Sequence, residues 1–290
     1  MFHLARMDFH GRRAFLFGEN PVLTQKLFHG IEGLMITNRI LGVLAVLAAA
    51  VVFIGAAPAN PTQESAEKNF TEGVAALQAG DGLKAEAEFT KALEFDPEWA
   101  AAYVNRGEAY VLQGQLDKAL KDLDKALALD PKSVEALYNR GRVYTMLGQP
   151  AKAVADYTAA LKLKPGDWQL YYNRGNAYLD QEKYQEALQD YERALKLKPN
   201  NPEIIHNRGL ARLHLGQAQL ALEDFSQALT LDPKFVRAQY NRGRALEKLG
   251  RLPEARGAYR TFLQEANPAT DKPLLERALE RLKELKEKQG

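Results

Sequence analysis

Glycine returns at every thirty-fourth position along most of this chain. Six glycines stand at this period with no insertion between them: Gly73, Gly107, Gly141, Gly175, Gly209 and Gly243. Counted from each glycine, alanine stands at position +12 and a large apolar residue at position +16. In the first five copies alanine also stands at +19 and proline at +24. A fixed period of roughly 20–50 residues indicates a repeat array, in which one small unit is stacked many times.

Each unit is predicted to be a pair of helices. A second glycine follows the first by seven residues at Gly80, Gly114, Gly148, Gly216 and Gly250, whereas the fourth copy has Glu182. Glycine at this place is typical of the turn after a helix, and the proline ends the second helix because it cannot continue the hydrogen-bond ladder. Glycine within a helix costs about 1 kcal/mol relative to alanine. We therefore expect close packing between the helices, with glycine facing alanine.

The repeat motifs resemble a known family. Gly-x-x-Tyr in "GEAY", "GRVY" and "GNAY", followed by Ala, aromatic, Ala and Pro at the offsets above, is similar to the tetratricopeptide repeat (TPR) family over residues 66–269. The resemblance implies an all-α fold, a right-handed superhelical solenoid of antiparallel helix pairs with the first helices on the concave side. It also implies a non-catalytic scaffold that binds a peptide or protein segment in the concave groove.

The chain after the repeats, residues 270–290, is predicted to be a capping helix. Asp271 is expected to cap its start, with Pro273 in the first turn. An apolar stripe on this charged segment is expected to cover the last repeat. The stripe consists of Leu275, Ala278, Leu279, Leu282 and Leu285.

The first 59 residues have a different composition. Residues 40–57 are uncharged and almost wholly apolar, and Ala57-Pro58-Ala59 suits signal peptidase cleavage. We expect residues 35–59 to be a signal peptide or an uncleaved membrane anchor, and residues 1–34 an upstream arm or a mis-extended start. Residues 60–65 are expected to be an extended linker. The protein is therefore expected to be exported to the bacterial periplasm, or anchored in the inner membrane facing it.

The resemblance places the residues two and three before each glycine on the concave side. The candidate peptide-binding residues at these positions are Asn105, Asn139, Asn173, Asn207, Asn241, Tyr138, Tyr172 and Tyr240. Arg142 and Arg244, one position after a glycine, are further candidates. An asparagine amide donates and accepts, so it can bond a ligand backbone whatever the ligand's side chains. The same amides could instead bond across the joint between repeats, and both interpretations stay open at this point.

An arginine precedes five of the six glycines, and an acidic residue stands at position +15 after the first five. The arginine is missing where no repeat precedes, and the acid is missing where no repeat follows. This pattern predicts ion pairs from each arginine back to the second helix of the preceding repeat. The predicted pairs are Arg106–Glu88, Arg140–Asp122, Arg174–Asp156, Arg208–Asp190 and Arg242–Asp224.

Other functions have little support in the sequence. The net charge of +2 does not indicate a nucleic-acid ligand, and no cysteine is present. His206 and His214 would lie about 12 Å apart on one helix, too far to share a metal ion. We expect no cofactor, no catalytic site and a monomer. The alternatives are a structural assembly factor that uses the convex face or the ends, or an enzyme with an unrecognised site.

Overall fold

The computed structural model describes residues 61–287, which form thirteen α-helices and no strand. In chain order they are α1 (Pro61–Gln78), α2 (Gly82–Phe95), α3 (Ala100–Leu112), α4 (Leu116–Leu129), α5 (Val134–Met146), α6 (Pro150–Leu163), α7 (Trp168–Asp180), α8 (Tyr184–Leu197), α9 (Pro202–His214), α10 (Ala218–Leu231), α11 (Val236–Lys248), α12 (Leu252–Glu265) and α13 (Pro268–Glu287). The first twelve form six pairs, one for each copy of the repeat. The predicted all-α solenoid of helix pairs is confirmed.

Within each pair the constant spacing brings glycine against a large side chain. A Cβ atom added to Gly141 would lie 2.7 Å from the buried ring of Tyr157. The other side chains in this position are the rings of Phe89, Tyr191, Phe225 and Tyr259, with Leu123 in the second repeat. The expected contact between glycine and alanine is found in the second repeat, where a Cβ atom on Gly107 would lie 3.5 Å from the Ala119 carbonyl oxygen. At each of the other five glycines the nearest atom belongs to the large apolar residue of the same repeat.

The turn inside each repeat has the predicted left-handed backbone. All five glycines at this position have positive φ values, between 67° and 78°, and Glu182 in the fourth repeat has a φ of 58°. Side chains also cap the start of one second helix, α2, and of the first helices α5, α7 and α9, by accepting from a backbone N–H. The capping residues are Asp81, Ser133, Asp167 and Asn201.

The repeats stack through a continuous core. Leu137, Tyr157 and Leu170, for example, belong to one buried cluster that joins α5, α6 and α7. First helices of neighbouring repeats also contact one another from α1 to α11, whereas the second helices make no comparable contacts within residues 61–287. The first helices therefore form the inner side of the array, as the resemblance implied.

The array begins earlier than expected. Helix α1 starts at Pro61, so residues 61–65, predicted to be an extended linker, are helical. Proline suits the first turn of a helix, and Ala66 is already buried one turn later. No helix within the described range is long and apolar enough to span a membrane. The predicted signal peptide or anchor and the predicted upstream arm lie outside the described residues.

The capping helix α13 also begins before the predicted residue. Asn267 caps it by accepting a hydrogen bond from the Ala269 N–H at 2.9 Å, so the prediction that Asp271 is the cap is wrong. Asp271 lies inside the first turn, where its carboxylate accepts from the Asn267 N–H at 3.2 Å. Pro273 is consequently inside the helix.

The apolar stripe of α13 packs on the last repeat with one exception. Ala278 and Leu285 are buried, and Leu275 and Leu282 pack beside them. Leu279 is 50% exposed and Leu274 contacts the core in its place.

Helix α13 follows the register of the repeats. Arg237 pairs with Asp271 and Glu247 pairs with Arg281, and each pair spans 34 residues, one full period. Helix α13 thus occupies the place of a seventh first helix.

Candidate interaction surface

Three of the five asparagines bond to the preceding first helix. The Nδ2 atom of Asn173 lies 3.5 Å from the Tyr138 hydroxyl, and that of Asn207 lies 3.3 Å from the Tyr172 hydroxyl. In the same way Asn241 Nδ2 lies 2.9 Å from Nε2 of His206. The partner always precedes the asparagine by 35 residues. The structure therefore uses these amides as joints between repeats.

The first two asparagines lack such a partner in the sequence. The residues at the same offset before Asn105 and Asn139 are Phe70 and Val104, which cannot accept a hydrogen bond. Among the described residues Asn105 bonds only to the carbonyl of Ala101 in its own helix, at 2.8 Å. Asn173, by contrast, makes the equivalent bond to Gln169 in addition to its contact with Tyr138. Asn139 is only 8% exposed. The amide joints thus belong to the later repeats, and the early repeats are joined there by apolar packing.

Around His206 the joints merge into one chain of hydrogen bonds. Because the Asn241 amide donates to Nε2, the imidazole carries its proton on Nδ1, which donates to Asn207 Oδ1 at 3.0 Å. The Asn207 amide then donates to Asn176 Oδ1 at 2.9 Å. This chain crosses two repeat joints and links the fourth, fifth and sixth repeats.

The imidazole of His206 is buried and neutral. It is 6% exposed, and burial lowers its pKa to about 4, with a further lowering by the charge of Arg237. His206 therefore belongs to the packing of the array. His214 is exposed and stacks on the Tyr184 ring, with a centroid distance of 4.4 Å. Neither histidine has metal-ligating neighbours, since no group of three such side chains occurs within the described residues.

The predicted tyrosines divide into two classes. Tyr138 and Tyr172 are partly exposed, and burial of their rings raises their pKa values. Tyr240 is only 7% exposed and packs against Tyr259 and Phe262, at centroid distances of 5.6 and 5.3 Å. Most of the Tyr240 ring is thus core, and only its edge reaches the first-helix surface.

The predicted arginine–acid pairs across the joint are wrong. Four of the five arginines instead form hydrogen bonds with the acid 16 residues later, on the second helix of their own repeat. The observed pairs are Arg106–Asp122, Arg140–Asp156, Arg174–Asp190 and Arg208–Asp224. The acid lies just before the side chain that covers the glycine, and the antiparallel helices bring it beside the arginine.

The arginines still reach the preceding repeat, through a different atom. Nη1 of Arg106 donates to Thr90 at 3.1 Å, and Nη1 of Arg140 donates to Asp124 at 2.7 Å. Each of these partners lies 16 residues before its arginine, on the preceding second helix. One guanidinium therefore closes its own helix pair and also joins it to the previous pair.

At the two ends of the array this arrangement is incomplete. The first repeat has Glu72 where the arginine would stand, and the buried Oε2 atom of its Glu88 has no hydrogen-bond partner. The last repeat has Ala258 where the acid would stand, and the buried Nε atom of Arg242 has none. Oε1 of Glu88 accepts from Nζ of Lys91 at 2.7 Å, so the first repeat pairs its acid within one helix and the last repeat has no acid for its arginine.

The two arginines predicted to bind ligand differ in their partners. Arg142 forms a salt bridge of 2.9 Å with Glu108 on the neighbouring first helix, so its charge is neutralised. Arg244 donates to Asn241 Oδ1 at 3.1 Å and forms no ion pair within the described residues.

Sequence reasoning missed two exposed apolar residues at the edge of the first-helix surface. They belong to the rim row, defined as the residues five positions after each repeat glycine: Gln78, Leu112, Met146, Asp180, His214 and Lys248. Leu112 is 50% exposed and Met146 is 55% exposed. Apolar residues in two adjacent members of an otherwise polar row are the signal that could have found them.

The last repeat and α13 line a half-open pocket of about 320 Å³. Arg244, Glu247 and Lys248 of α11 line one side, and Arg281 of α13 lines the other. Tyr240 contributes to its apolar part. The rim row therefore runs from apolar side chains in the second and third repeats to a charged pocket in the sixth.

Comparisons with known proteins agree with this architecture. Family models described as TPR repeat match residues 107–148 and 175–216, and models described as tetratricopeptide repeat match residues 134–167, 156–189 and 206–270. No curated protein matches the chain.

Three solved structures illustrate the similarity of fold. The MamA protein is 26% identical with a TM-score of 0.53, over 59% of this chain and 93% of that one. A tetratricopeptide repeat protein from Parabacteroides merdae is 23% identical with a TM-score of 0.65, over 77% and 89%. YrrB, described as a TPR protein with an unusual peptide-binding site, is 22% identical with a TM-score of 0.53, over 62% and 97%. The helix pairs, their period and the matching family models together show that this chain belongs to the tetratricopeptide repeat family.

Proposed function

We propose that this interaction scaffold binds an extended protein segment along its first helices at the bacterial cell envelope. The observation that carries the proposal is the exposed pair Leu112 and Met146, the last residues of two neighbouring first helices. Neighbouring helices lie about 8–10 Å apart, so the two side chains can contact one segment together. Methionine adapts its shape to varied partners, which suits a binding surface.

The hydrogen bonds of the first-helix surface restrict how the segment is held. The amides of Asn173, Asn207 and Asn241 already bond to neighbouring repeats, so they contribute less to binding than their sequence positions implied. Side chains on the rim row and the partly exposed Tyr138 and Tyr172 supply the contact area instead. Tyrosine is well suited to this, because its ring is apolar and its hydroxyl is polar.

Site-specific photocrosslinking tests the surface. A photoreactive phenylalanine analogue replaces Met146 in one variant and Leu220 in a control variant, because Leu220 is 43% exposed on a second helix. In living cells we expect the analogue at position 146 to crosslink to one partner protein, and the analogue at position 220 not to crosslink to it. The variant Leu112→Asp should abolish that crosslink. Crosslinking at position 220 alone would overturn the groove proposal and favour an assembly role for the convex face.

The cellular location rests on residues 35–59, whose apolar core and Ala57-Pro58-Ala59 suit an exported protein. N-terminal sequencing of the protein purified from cells tests this part separately. We expect the mature chain to begin at Asn60. A chain that keeps residues 40–57 and fractionates with the inner membrane supports the anchored form, and a chain found in the cytoplasm overturns export.

A further inference from the structure

The pocket between the last repeat and α13 has a surplus of positive charge. Three cationic side chains line it, Arg244, Lys248 and Arg281, against one carboxylate, Glu247. Tyr240, Leu252 and Leu285 provide its apolar wall, and Leu285 is buried. The pocket therefore combines an apolar wall with a cationic entrance.

The carboxylate of Glu247 is fully used by the protein. It accepts from the Tyr259 hydroxyl at 2.5 Å and from Nη2 of Arg281 at 2.5 Å. The hydrogen bond to Glu247 raises the pKa of Arg281, and burial together with that carboxylate raises the pKa of Tyr259. Glu247 and Arg281 thus neutralise each other and brace α13 against the last repeat.

Two cations remain once this pair is set aside. Arg244 bonds only to the neutral amide of Asn241, and Lys248 is exposed and forms no ion pair in the described part of the chain. They lie four residues apart on α11, so they project from the same face of the helix. No carboxylate of the described residues pairs with either of them, in contrast to Arg142, which Glu108 neutralises.

We propose that this pocket binds an acidic side chain, Asp or Glu, of the segment that the first-helix surface holds. The proposal rests on the proposed function and adds the chemistry of one ligand position. Arg244 and Lys248 pair with the carboxylate, and the apolar wall packs against the methylene groups of the same residue. Charge-assisted hydrogen bonds in a partly enclosed site are stronger than those between neutral groups.

The position of the pocket also predicts how many residues separate the apolar residue of the ligand from its acidic residue. Met146 lies in the third repeat and the pocket in the sixth, three helix spacings apart, or about 24–30 Å. An extended chain advances about 3.3 Å per residue. A ligand is therefore expected to place an apolar residue at Leu112 and Met146, and an acidic residue about seven to nine positions away.

A displayed library of random dodecapeptides, flanked on both sides so that no free C-terminus is present, tests this. Selection on the wild-type scaffold should enrich Asp or Glu at one position, seven to nine residues from an apolar position. Selection on Arg244→Gln/Lys248→Gln should lose the acidic preference and keep the apolar one. The control variant Lys164→Gln alters a lysine that already pairs with Asp167 outside the first-helix surface, and it should keep both preferences. A second library with free C-termini distinguishes an acidic side chain from a terminal carboxylate.

Affinities of one selected peptide then measure the pairing directly. We expect Kd to rise about tenfold or more for the double variant, and equally when Glu in the peptide becomes Gln. Combining the two changes should cause little further loss. Circular dichroism confirms that the variants keep their helices.

The two proposals fail in different ways. Peptides selected without an acidic preference overturn the pocket and leave groove binding intact. An acidic preference that appears only in peptides with a free C-terminus overturns the side-chain assignment. Failure to select any peptide on the wild-type scaffold overturns groove binding and the pocket together.

Discussion

Arg174 and Asp190 are joined across one helix pair by two parallel hydrogen bonds, 2.7 Å from Nε and 2.8 Å from Nη2. The remaining nitrogen of the same guanidinium, Nη1, donates to Thr158 of the preceding repeat at 3.1 Å. The Asp190 side chain is only 3% exposed. Loss of the arginine would therefore leave a buried carboxylate without a counter-charge.

The variant Arg174→Met should lower the free energy of unfolding by about 3–5 kcal/mol, because it breaks a buried ion pair on one side only. The double variant Arg174→Met/Asp190→Leu should recover most of the loss, since no buried charge remains. Urea unfolding followed by circular dichroism measures both. Glu254→Gln, which removes the exposed pair with Arg251, is the control and should leave the midpoint unchanged. A double variant as unstable as the single one would contradict this account.

Gly141→Ala should destabilise the array although alanine favours helices. The added methyl group would lie 2.7 Å from the Tyr157 ring, and such overpacking costs about 1–3 kcal/mol, more than the gain of about 1 kcal/mol in helix propensity. Gly107→Ala is the matched control, because its nearest side-chain atom is Leu123 Cγ at 3.2 Å. Thermal unfolding should show a clear loss for position 141 and a smaller loss or none for position 107. The opposite order would contradict the ring contact.

Glu72→Arg should stabilise the first repeat by about 1 kcal/mol, since it supplies a donor for the buried Oε2 atom of Glu88, whose other oxygen already binds Lys91. Glu72→Gln removes the negative charge at position 72 without adding a guanidinium. It therefore measures the effect of less repulsion from Glu88 alone, without a new ion pair. Equal melting temperatures for the two variants would show that no new pair forms.

The neutral state of His206 predicts a loss of stability in acid. Its folded pKa of about 4 lies below the unfolded value of about 6.5, so the unfolded chain binds the proton more readily. The contribution is fully present above about pH 6.5 and is lost as the pH falls towards about 4, which amounts to about 2 kcal/mol between pH 7.5 and pH 5. Urea midpoints at the two pH values measure it.

His206→Gln keeps a donor and an acceptor at this position and should remove most of that pH dependence. His214→Gln changes an exposed imidazole and should remove little of it. If His206→Gln retained the full dependence, other groups would be responsible.

Glu182→Gly should raise the melting temperature. A non-glycine residue in the left-handed region costs about 1–2 kcal/mol, partly offset by the extra chain entropy of glycine, so a net gain of about 0.5–1 kcal/mol is expected. Glu182→Ala keeps the unfavourable backbone and should give no gain. The converse change, Gly148→Ala, should lose a similar amount.

Much of the fold could be predicted from the period alone, because equivalent positions share one backbone. Glu182 shows this most clearly, since its place in the series predicted a turn and its φ is positive. The ion pairs could not be predicted in the same way. Four of the five arginines have a polar residue 16 positions away on each of two second helices. The residues missing from the end copies favoured pairing with the preceding helix, which is wrong. Which of the two second helices supplies the acidic partner depends on the direction of the arginine side chain.

The candidate site was harder to predict for a related reason. The asparagines fall at one repeat position, yet Asn105 and Asn207 have different partners because the equivalent residues on the preceding first helices are Phe70 and Tyr172. The period identifies equivalent backbone positions. The hydrogen-bond partner of each side chain depends on which residues the neighbouring repeats carry. Leu112 and Met146 were missed because exposure depends on those neighbours as well.

The register of α13 bears on how such an array can change in length. Its contacts with the last repeat, Arg237 with Asp271 and Glu247 with Arg281, span one full period. If the last repeat were duplicated, its second copy would make the same contacts with α13, and no new capping helix would be required. The chain can therefore grow or shorten by whole units through recombination, and each added unit would move the charged pocket farther from the apolar pair and lengthen the ligand that spans both.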